Sequence, residues 1–241
     1  MESRLLYWEL SCWRLIPVER LSINKDRIQN DFMKVSNYMA RQFANPTGLF
    51  GRLVIGNMLN RANIESNALV LKMLDLKTES RVLEAGFGGG DLLLKISRTV
   101  KTGRLDGVEM SAPMLRALDK KLSRNKVQSN IHLHQGTIES LPFEDSLFDR
   151  VCSVNTVYFW SDLSQGLSEF SRIIQPGGYF VLGFGSDKAL REAGYEKRGF
   201  TLYSPDEISN TLKDTGFDNI EQKTIARKKR GPFYVLKAKR T

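Results

Sequence analysis

Apolar and polar residues alternate in blocks along most of this chain, and the block lengths carry the first information. Short apolar runs at 81–84, 104–109, 131–135, 150–154 and 179–184 have the length of buried strands. Between them lie stretches with helical spacing at 67–76, 91–99, 113–124 and 162–174. In the third of these Met114, Leu118 and Leu122 share a face; in the fourth Leu163, Leu167, Phe170 and Ile174 do. Strands alternating with helices predict right-handed crossovers and a parallel sheet. The pattern changes after residue 200. Ser204-Pro205-Asp206-Glu207 reads as a capping box with proline at the first helical position, and its helix runs to Thr215 and stops at Gly216. Runs at 219–226 and 233–238 then read as two strands joined by a turn. A hairpin closing a parallel sheet makes the last strand antiparallel. The predicted fold is therefore α/β, a Rossmann-like doubly wound sheet of seven strands.

The first 65 residues follow a different pattern and are read as a helical extension, with the α/β domain at 66–241. Within 1–32, Leu6, Leu10 and Trp13 have helical spacing. They suit an amphipathic helix, docked on the protein's own surface or in contact with a membrane. Acids and arginines interrupt this stretch, so it makes a poor signal or transit peptide. Met33 is a candidate alternative start. In 33–65, Pro46, Gly48, Gly51 and Gly56 punctuate an apolar set that includes Phe43, Leu49, Phe50, Val54 and Met58. Two readings stay open for it: a lid over a substrate site, or a helix packed on the sheet edge.

Composition narrows the class. The 241 residues are 41% hydrophobic and 26% charged, in the range of a globular chain with a substantial core. Cys12 and Cys152 are far apart and lack metal-ligand spacing, which argues against a disulfide scaffold and for a reducing, cytoplasmic setting. No stretch is long and apolar enough to predict a membrane span. The formal charge of +9 is concentrated at the end: residues 221–241 hold eight Lys/Arg and one acid, Glu221. Arg227-Lys228-Lys229-Arg230 is either a solvated hairpin turn or a patch for phosphate groups.

The chemistry is concentrated where the first apolar run ends, at Val82-Leu83-Glu84-Ala85-Gly86-Phe87-Gly88-Gly89-Gly90. Glycines at 86, 88 and 90 allow a sharp turn and close approach of a ligand to the main chain. A turn of this kind between strand and helix binds nucleotides in doubly wound proteins. The dinucleotide fingerprint would require glycine at 91; Asp91 stands there, which argues against a dehydrogenase. Glu109 ends the second strand nineteen residues after Gly90, a distance at which a carboxylate can accept from both hydroxyls of a ribose.

These residues together resemble the class I S-adenosylmethionine-dependent methyltransferases. Glu84 and Gly86, Gly88 and Gly90 match the first motif of that family. Glu109-Met110-Ser111-Ala112-Pro113-Met114-Leu115 is similar to its ribose-binding strand end and following helix. The run from Gly136 to Phe143 resembles its adenine loop, and Gln175-Pro176-Gly177-Gly178 its later P-G-G turn. The resemblance covers roughly 67–241 and implies S-adenosylmethionine as cofactor. It implies that Glu84, Gly86, Gly88 and Gly90 hold the methionine moiety, Glu109 and Met110 lie at the ribose, and Met114, Thr137 and Ile138 lie at the adenine. One position departs from the pattern: Thr137 stands where the family often has aspartate, so a weaker acceptor faces the adenine amino group. Residues 41–48 with 58–63 are similar to a prelude found in a subset of the family, which names no substrate.

The acceptor half is less legible. Asn155-Thr156-Val157-Tyr158-Phe159-Trp160 follows the fourth strand and should face the methyl group. It resembles the Asn/Asp-Pro-Pro-aromatic motif of amino-directed nucleic-acid methyltransferases but lacks both prolines. Asn155 and Tyr158 are the candidate catalytic residues, Asn155 is also a candidate cofactor contact, and Trp160 is a candidate pocket wall; aromatic packing under a loop is the other reading. His132 and His134 are read as structural, with no metal site expected. The predicted activity is methyl transfer to a small or amphiphilic acceptor. The alternatives are an RNA-directed methyltransferase using the basic hairpin, and a non-catalytic subunit that binds the cofactor. Oligomeric state is not legible.

Overall fold

The computed structural model describes residues 63–124, 130–227 and 231–241. The expectations for the amphipathic N-terminal stretch, Met33, Cys12, the lid and prelude, and Lys228 to Arg230 lie outside these residues. Helix α1 spans Ile64–Leu74, β1 Arg81–Ala85, α2 Asp91–Ile96, β2 Arg104–Glu109, α3 Ala112–Arg124 and β3 Ile131–Gln135. They are followed by β4 at Phe148–Val154, α4 at Leu163–Ile173, β5 at Ile174–Gly185, α5 at Asp187–Glu192, α6 at Pro205–Asp214, β6 at Phe217–Ile225 and β7 at Phe233–Arg240.

The seven strands form one sheet in the order β3-β2-β1-β4-β5-β7-β6. Strands β1 to β5 pair in parallel, and β7 is antiparallel to both of its neighbours, as the hairpin ending predicts. The chain leaves β1 toward β2 and β3, then returns to lay β4 on the other side of β1. The carboxyl ends of β1 and β4 thus flank the crevice where open α/β sheets take up ligands.

The central strands β1, β2, β4 and β5 are buried on both faces, which explains why they read as near-continuous apolar runs, whereas the edge strands β3 and β6 are largely open. Val82, Leu105, Cys152 and Val181 point to one face, where they pack with Val70 and Leu74 of α1, Leu92, Leu93 and Ile96 of α2, and Leu118 of α3. Their strand neighbours Leu83, Val151, Phe180 and Leu182 point to the other, against Leu167 and Phe170 of α4 and Ile208 and Leu212 of α6. The Phe170 and Phe180 rings stack at 4.5 Å. Each buried side chain of this size contributes about 1.5–3 kcal/mol.

Local chemistry sets the ends. The Asp162 side chain accepts from the Gln165 N–H to start α4, and Ser204 and Glu207 complete the expected capping box of α6. The Arg150 side chain donates to the carbonyl of Leu74 at 2.7 Å and closes α1. Three departures from the sequence reading have clear causes. Helix α2 stops at Ile96, short of Thr99, because the Ser97 hydroxyl takes the Leu94 carbonyl and the backbone tightens into i−3 bonds. The Pro176-Gly177-Gly178 turn lies inside β5 as a bulge: Phe148 pairs with Ile174, and pairing resumes at Arg150 with Tyr179. Helix α5 has no buried residue, so it left no apolar period to read.

Candidate functional site

Glu84 is the penultimate residue of β1, and the chain turns immediately after it. Gly86, Gly88 and Gly90 all have left-handed φ, at 76°, 50° and 74°. Gly86 and Gly90 are also sterically required. A Cβ at Gly86 would lie 2.4 Å from the Thr156 methyl, and one at Gly90 2.6 Å from Leu118. Gly88 differs, because a Cβ there meets no atom of the described residues within 4 Å. The backbone at the crest of the turn therefore borders open space.

The tip of β2 is joined to that crest. Glu109 Oε2 accepts from the Gly88 N–H and Oε1 from the Ser111 N–H, each at 2.9 Å. Burial raises the Glu109 pKa above the usual carboxylate value, and these backbone bonds pull it back. Glu84 lies deeper, at 4% exposure. Burial, and then the neighbouring charges of Asp91 and Glu109, push its pKa well up, opposed by the Leu93 N–H. Its Oε2 atom has no hydrogen-bond partner among the described residues. Asp91 itself is engaged by Lys95 at 2.8 Å and by the Asn67 amide at 3.2 Å. Three carboxylates around one glycine turn, one of them buried and unsatisfied, form a setting that favours a cationic guest.

The remaining expected contacts separate into exposed and buried positions. Met110 is 50% exposed at the β2 tip, whereas Met114 is 4% exposed on the inner face of α3. The Gly136 N–H donates to the Glu109 carbonyl and brings the next loop to the same edge. There Thr137 is exposed and bridges to Ser140, and Ile138 is buried. The sequence reading did not single out the residues that hold this loop. Glu139 accepts from the N–H and hydroxyl of Ser161, and Glu169 accepts from the Leu141 N–H at 2.9 Å. The Arg172 guanidinium donates to the carbonyls of Leu141 and Phe143 and pairs with Glu169 and Asp145. The (i, i+3) spacing of Glu169 and Arg172 on α4 was the available signal.

At the end of β4, Asn155 adopts a left-handed φ of 57°, a strained conformation of the kind that persists at functional sites. Its Nδ2 donates to Asn63 Oδ1 at 3.0 Å, and its Oδ1 accepts from the Tyr158 hydroxyl at 3.4 Å. The Tyr158 oxygen accepts from the Gly185 N–H. Burial pushes the Tyr158 pKa above the ordinary tyrosine value, so the phenol stays protonated and acts as a donor. Trp160 is buried against Phe170 and donates to the Thr156 hydroxyl, which makes it part of the packing beneath the loop. Beside Tyr158 lies an aromatic group: Phe159 and Tyr195 are 4.9 Å and 5.1 Å from the Phe200 ring.

Residues away from this edge are engaged elsewhere. His134 bonds Asp106 at 2.7 Å and packs edge-on against Phe143, while His132 is exposed. No group of metal-binding side chains occurs among the described residues. Arg227, the first cation of the basic run, folds inward to donate to the Ser66 hydroxyl and covers the Phe233 ring at 4.4 Å. No helix among the described residues is long and apolar enough to cross a membrane.

Comparison with known proteins adds to this geometry. A family model described as a methyltransferase domain matches residues 83–182. The uncharacterized methyltransferase YdaC of Bacillus subtilis is 30% identical over 127 residues, which cover 52% of this chain and 67% of that protein. A demethylmenaquinone methyltransferase of Chlorobaculum parvum is 32% identical over 107 residues, covering 44% of this chain and 42% of that one. Among solved structures, a Haloferax volcanii methyltransferase in complex with the Trm112 activator superposes with a TM-score of 0.69 at 18% identity, covering 79% of this chain and 96% of that one. The chain thus spans two thirds of YdaC and less than half of the quinone enzyme.

Proposed function

The chain belongs to the class I S-adenosylmethionine-dependent methyltransferases, and we propose that its acceptor is a small or amphiphilic molecule that approaches over the end of β4. The family's cofactor, when bound, supplies an electrophilic methyl on a sulfonium. In this reading the glycine turn and Glu84 hold its methionine moiety, Glu109 its ribose, and Thr137 with Ile138 its adenine. The fit rests on the unsatisfied Glu84 oxygen and the open space above Gly88. Exposed Met110 borders the ribose and adenine edge, and buried Met114 supports it from below.

On the acceptor side Asn155 is the contact residue and Tyr158 the positioning residue. The Tyr158 hydroxyl fixes the Asn155 carboxamide, whose amide is then aimed at Asn63 and at an acceptor. With a sulfonium as leaving group the residues mainly need to align the acceptor and exclude water, and no strong base is required.

One observation carries the small-molecule reading. The packing beside Asn155 is aromatic, with buried Tyr158 and Phe200 against half-buried Phe159 and Tyr195, and Arg227 folds onto Phe233 and Ser66. An RNA-directed enzyme needs cations continuous with the mouth of the site. The relative named for demethylmenaquinone methylation points the same way. The test is transfer of labelled methyl from S-adenosylmethionine to a panel of hydroquinones, amines and prenylated acceptors beside RNA transcripts. Label in a small-molecule fraction is the expected outcome. Label confined to RNA, with steep salt dependence, would refute the proposal. No label in any acceptor despite cofactor binding would favour a role as a non-catalytic, cofactor-binding partner subunit.

A further inference from the structure

Among the carboxylates at the glycine turn, Glu84 is the one with an unsatisfied oxygen. The side chain is buried at the end of β1, where the Leu93 N–H from α2 contributes the favourable bond opposing its burial. Among the described residues, the ionisable groups facing it come from three elements. Helix α2 brings Asp91, whose charge is shared with Lys95. Strand β2 brings Glu109, already committed to Gly88 and Ser111. Strand β4 brings Cys152, in register with Glu84 and itself buried, its thiol pKa pushed up by burial and by Glu84. None of these is a cation that reaches Glu84 directly. A bare carboxylate here would be unpaired and dry, and such groups neutralise by taking a proton.

S-adenosylmethionine carries two positive centres, the sulfonium and the α-ammonium. We infer that Glu84 is a proton-exchanging contact, protonated in the cofactor-free protein and ionised once the ammonium of the methionine moiety sits above Gly88. This rests on the cofactor site proposed above. In the exchange the O–H bond of Glu84 breaks, its proton passes to buffer, and the freed oxygen accepts a hydrogen bond from the ammonium. No bond of the ligand changes and no electrons are transferred. Cofactor binding and proton release are then linked: each affects the other by the same free energy. Affinity therefore climbs as pH rises from the ordinary carboxylate range toward the raised value of Glu84, and levels off above it.

The experiment is calorimetric titration of the full chain in phosphate, Mes and histidine buffers, which hold mildly acidic pH and whose ionisation enthalpies differ. S-adenosylmethionine is one ligand; methylthioadenosine, which keeps adenine and ribose but has no ammonium, is the other. The dependence of the observed heat on buffer gives the protons released. The expected result for S-adenosylmethionine is release approaching about one proton in mildly acidic buffer, declining as pH rises. Methylthioadenosine should release none, which separates Glu84 from the ribose-binding Glu109. Glu84→Gln should bind S-adenosylmethionine without proton release and roughly tenfold to 100-fold more weakly, the worth of about one charge-assisted hydrogen bond. Heats independent of buffer for the wild-type protein would overturn the inference while leaving the cofactor site standing. Equal release with methylthioadenosine would also overturn it, by assigning the proton to Glu109. Failure of both ligands to bind folded protein would remove the cofactor reading itself. Should Glu84→Gln fail to fold, the two-ligand comparison on wild-type protein decides alone.

Discussion

The three glycines of the turn have different roles, and substitution should separate them. A side chain at Gly88 meets no atom but must adopt a φ of 50°, which costs about 1–3 kcal/mol. Gly88→Val should therefore remain folded, with a lower melting temperature, and lose cofactor binding by about 100-fold or more because the branched chain fills the ligand's space. Gly86→Ala and Gly90→Ala should instead lose stability first, since their Cβ atoms collide with Thr156 and Leu118. Thermal melts with and without ligand distinguish the two classes. At the adenine edge, Thr137→Asp should tighten cofactor binding by roughly tenfold, because a carboxylate accepts more strongly than a hydroxyl; unchanged affinity would place the adenine elsewhere. The turn and Glu109 were readable from the chain because glycine and a strand-end carboxylate state their geometry in residue type. The opposite exposures of Met110 and Met114 were not, since residue type does not tell a methionine at the open tip of β2 from one on the inner face of α3.

At the scale of elements, α4 connects the sheet to the loop at 136–143, the proposed adenine loop, through Glu169 and Arg172. Replacing Arg172 by Met removes two carbonyl contacts and the Glu169 pair, and leaves a partly buried carboxylate without its cation. The expected loss is about 2 kcal/mol, together with a raised KM for the cofactor at nearly unchanged kcat. Restoration of KM by Arg172→Lys would show that charge suffices; failure would show that the planar fork is needed. Strand and helix positions were legible because both faces of the sheet are apolar at fixed periods. The Glu169–Arg172 clamp, the bulge in β5 and the solvent-facing α5 were not, since each depends on long-range contacts or on polar residues with no period. The same holds at the end of β4: Asn155 and Tyr158 could be located there, but their mutual hydrogen bond depends on how the turn folds, and the protonated state of the phenol depends on its burial.

For the whole molecule, the doubly wound order brings the ends of β1, β2 and β4 to one edge, and with them a charge balance that depends on pH. Glu84 has a raised pKa in the folded chain and an ordinary one when unfolded. Between those two values the folded state holds the extra proton. Its contribution to stability is complete below the unfolded value and is lost as pH rises through the folded one. Chemical denaturation across pH should therefore show the cofactor-free protein losing stability over that window, and Glu84→Gln should lose less. The fold, the family and the cofactor end of the cleft converge on one claim, that the glycine turn and Glu109 hold S-adenosylmethionine. Its most direct test is equilibrium titration of wild-type and Gly88→Val protein with S-adenosylmethionine and, separately, with NAD. Saturable binding of S-adenosylmethionine by the wild type, loss of it in the folded variant, and no binding of NAD are the expected results. Equal binding of S-adenosylmethionine by both proteins, or binding of NAD in its place, would contradict it.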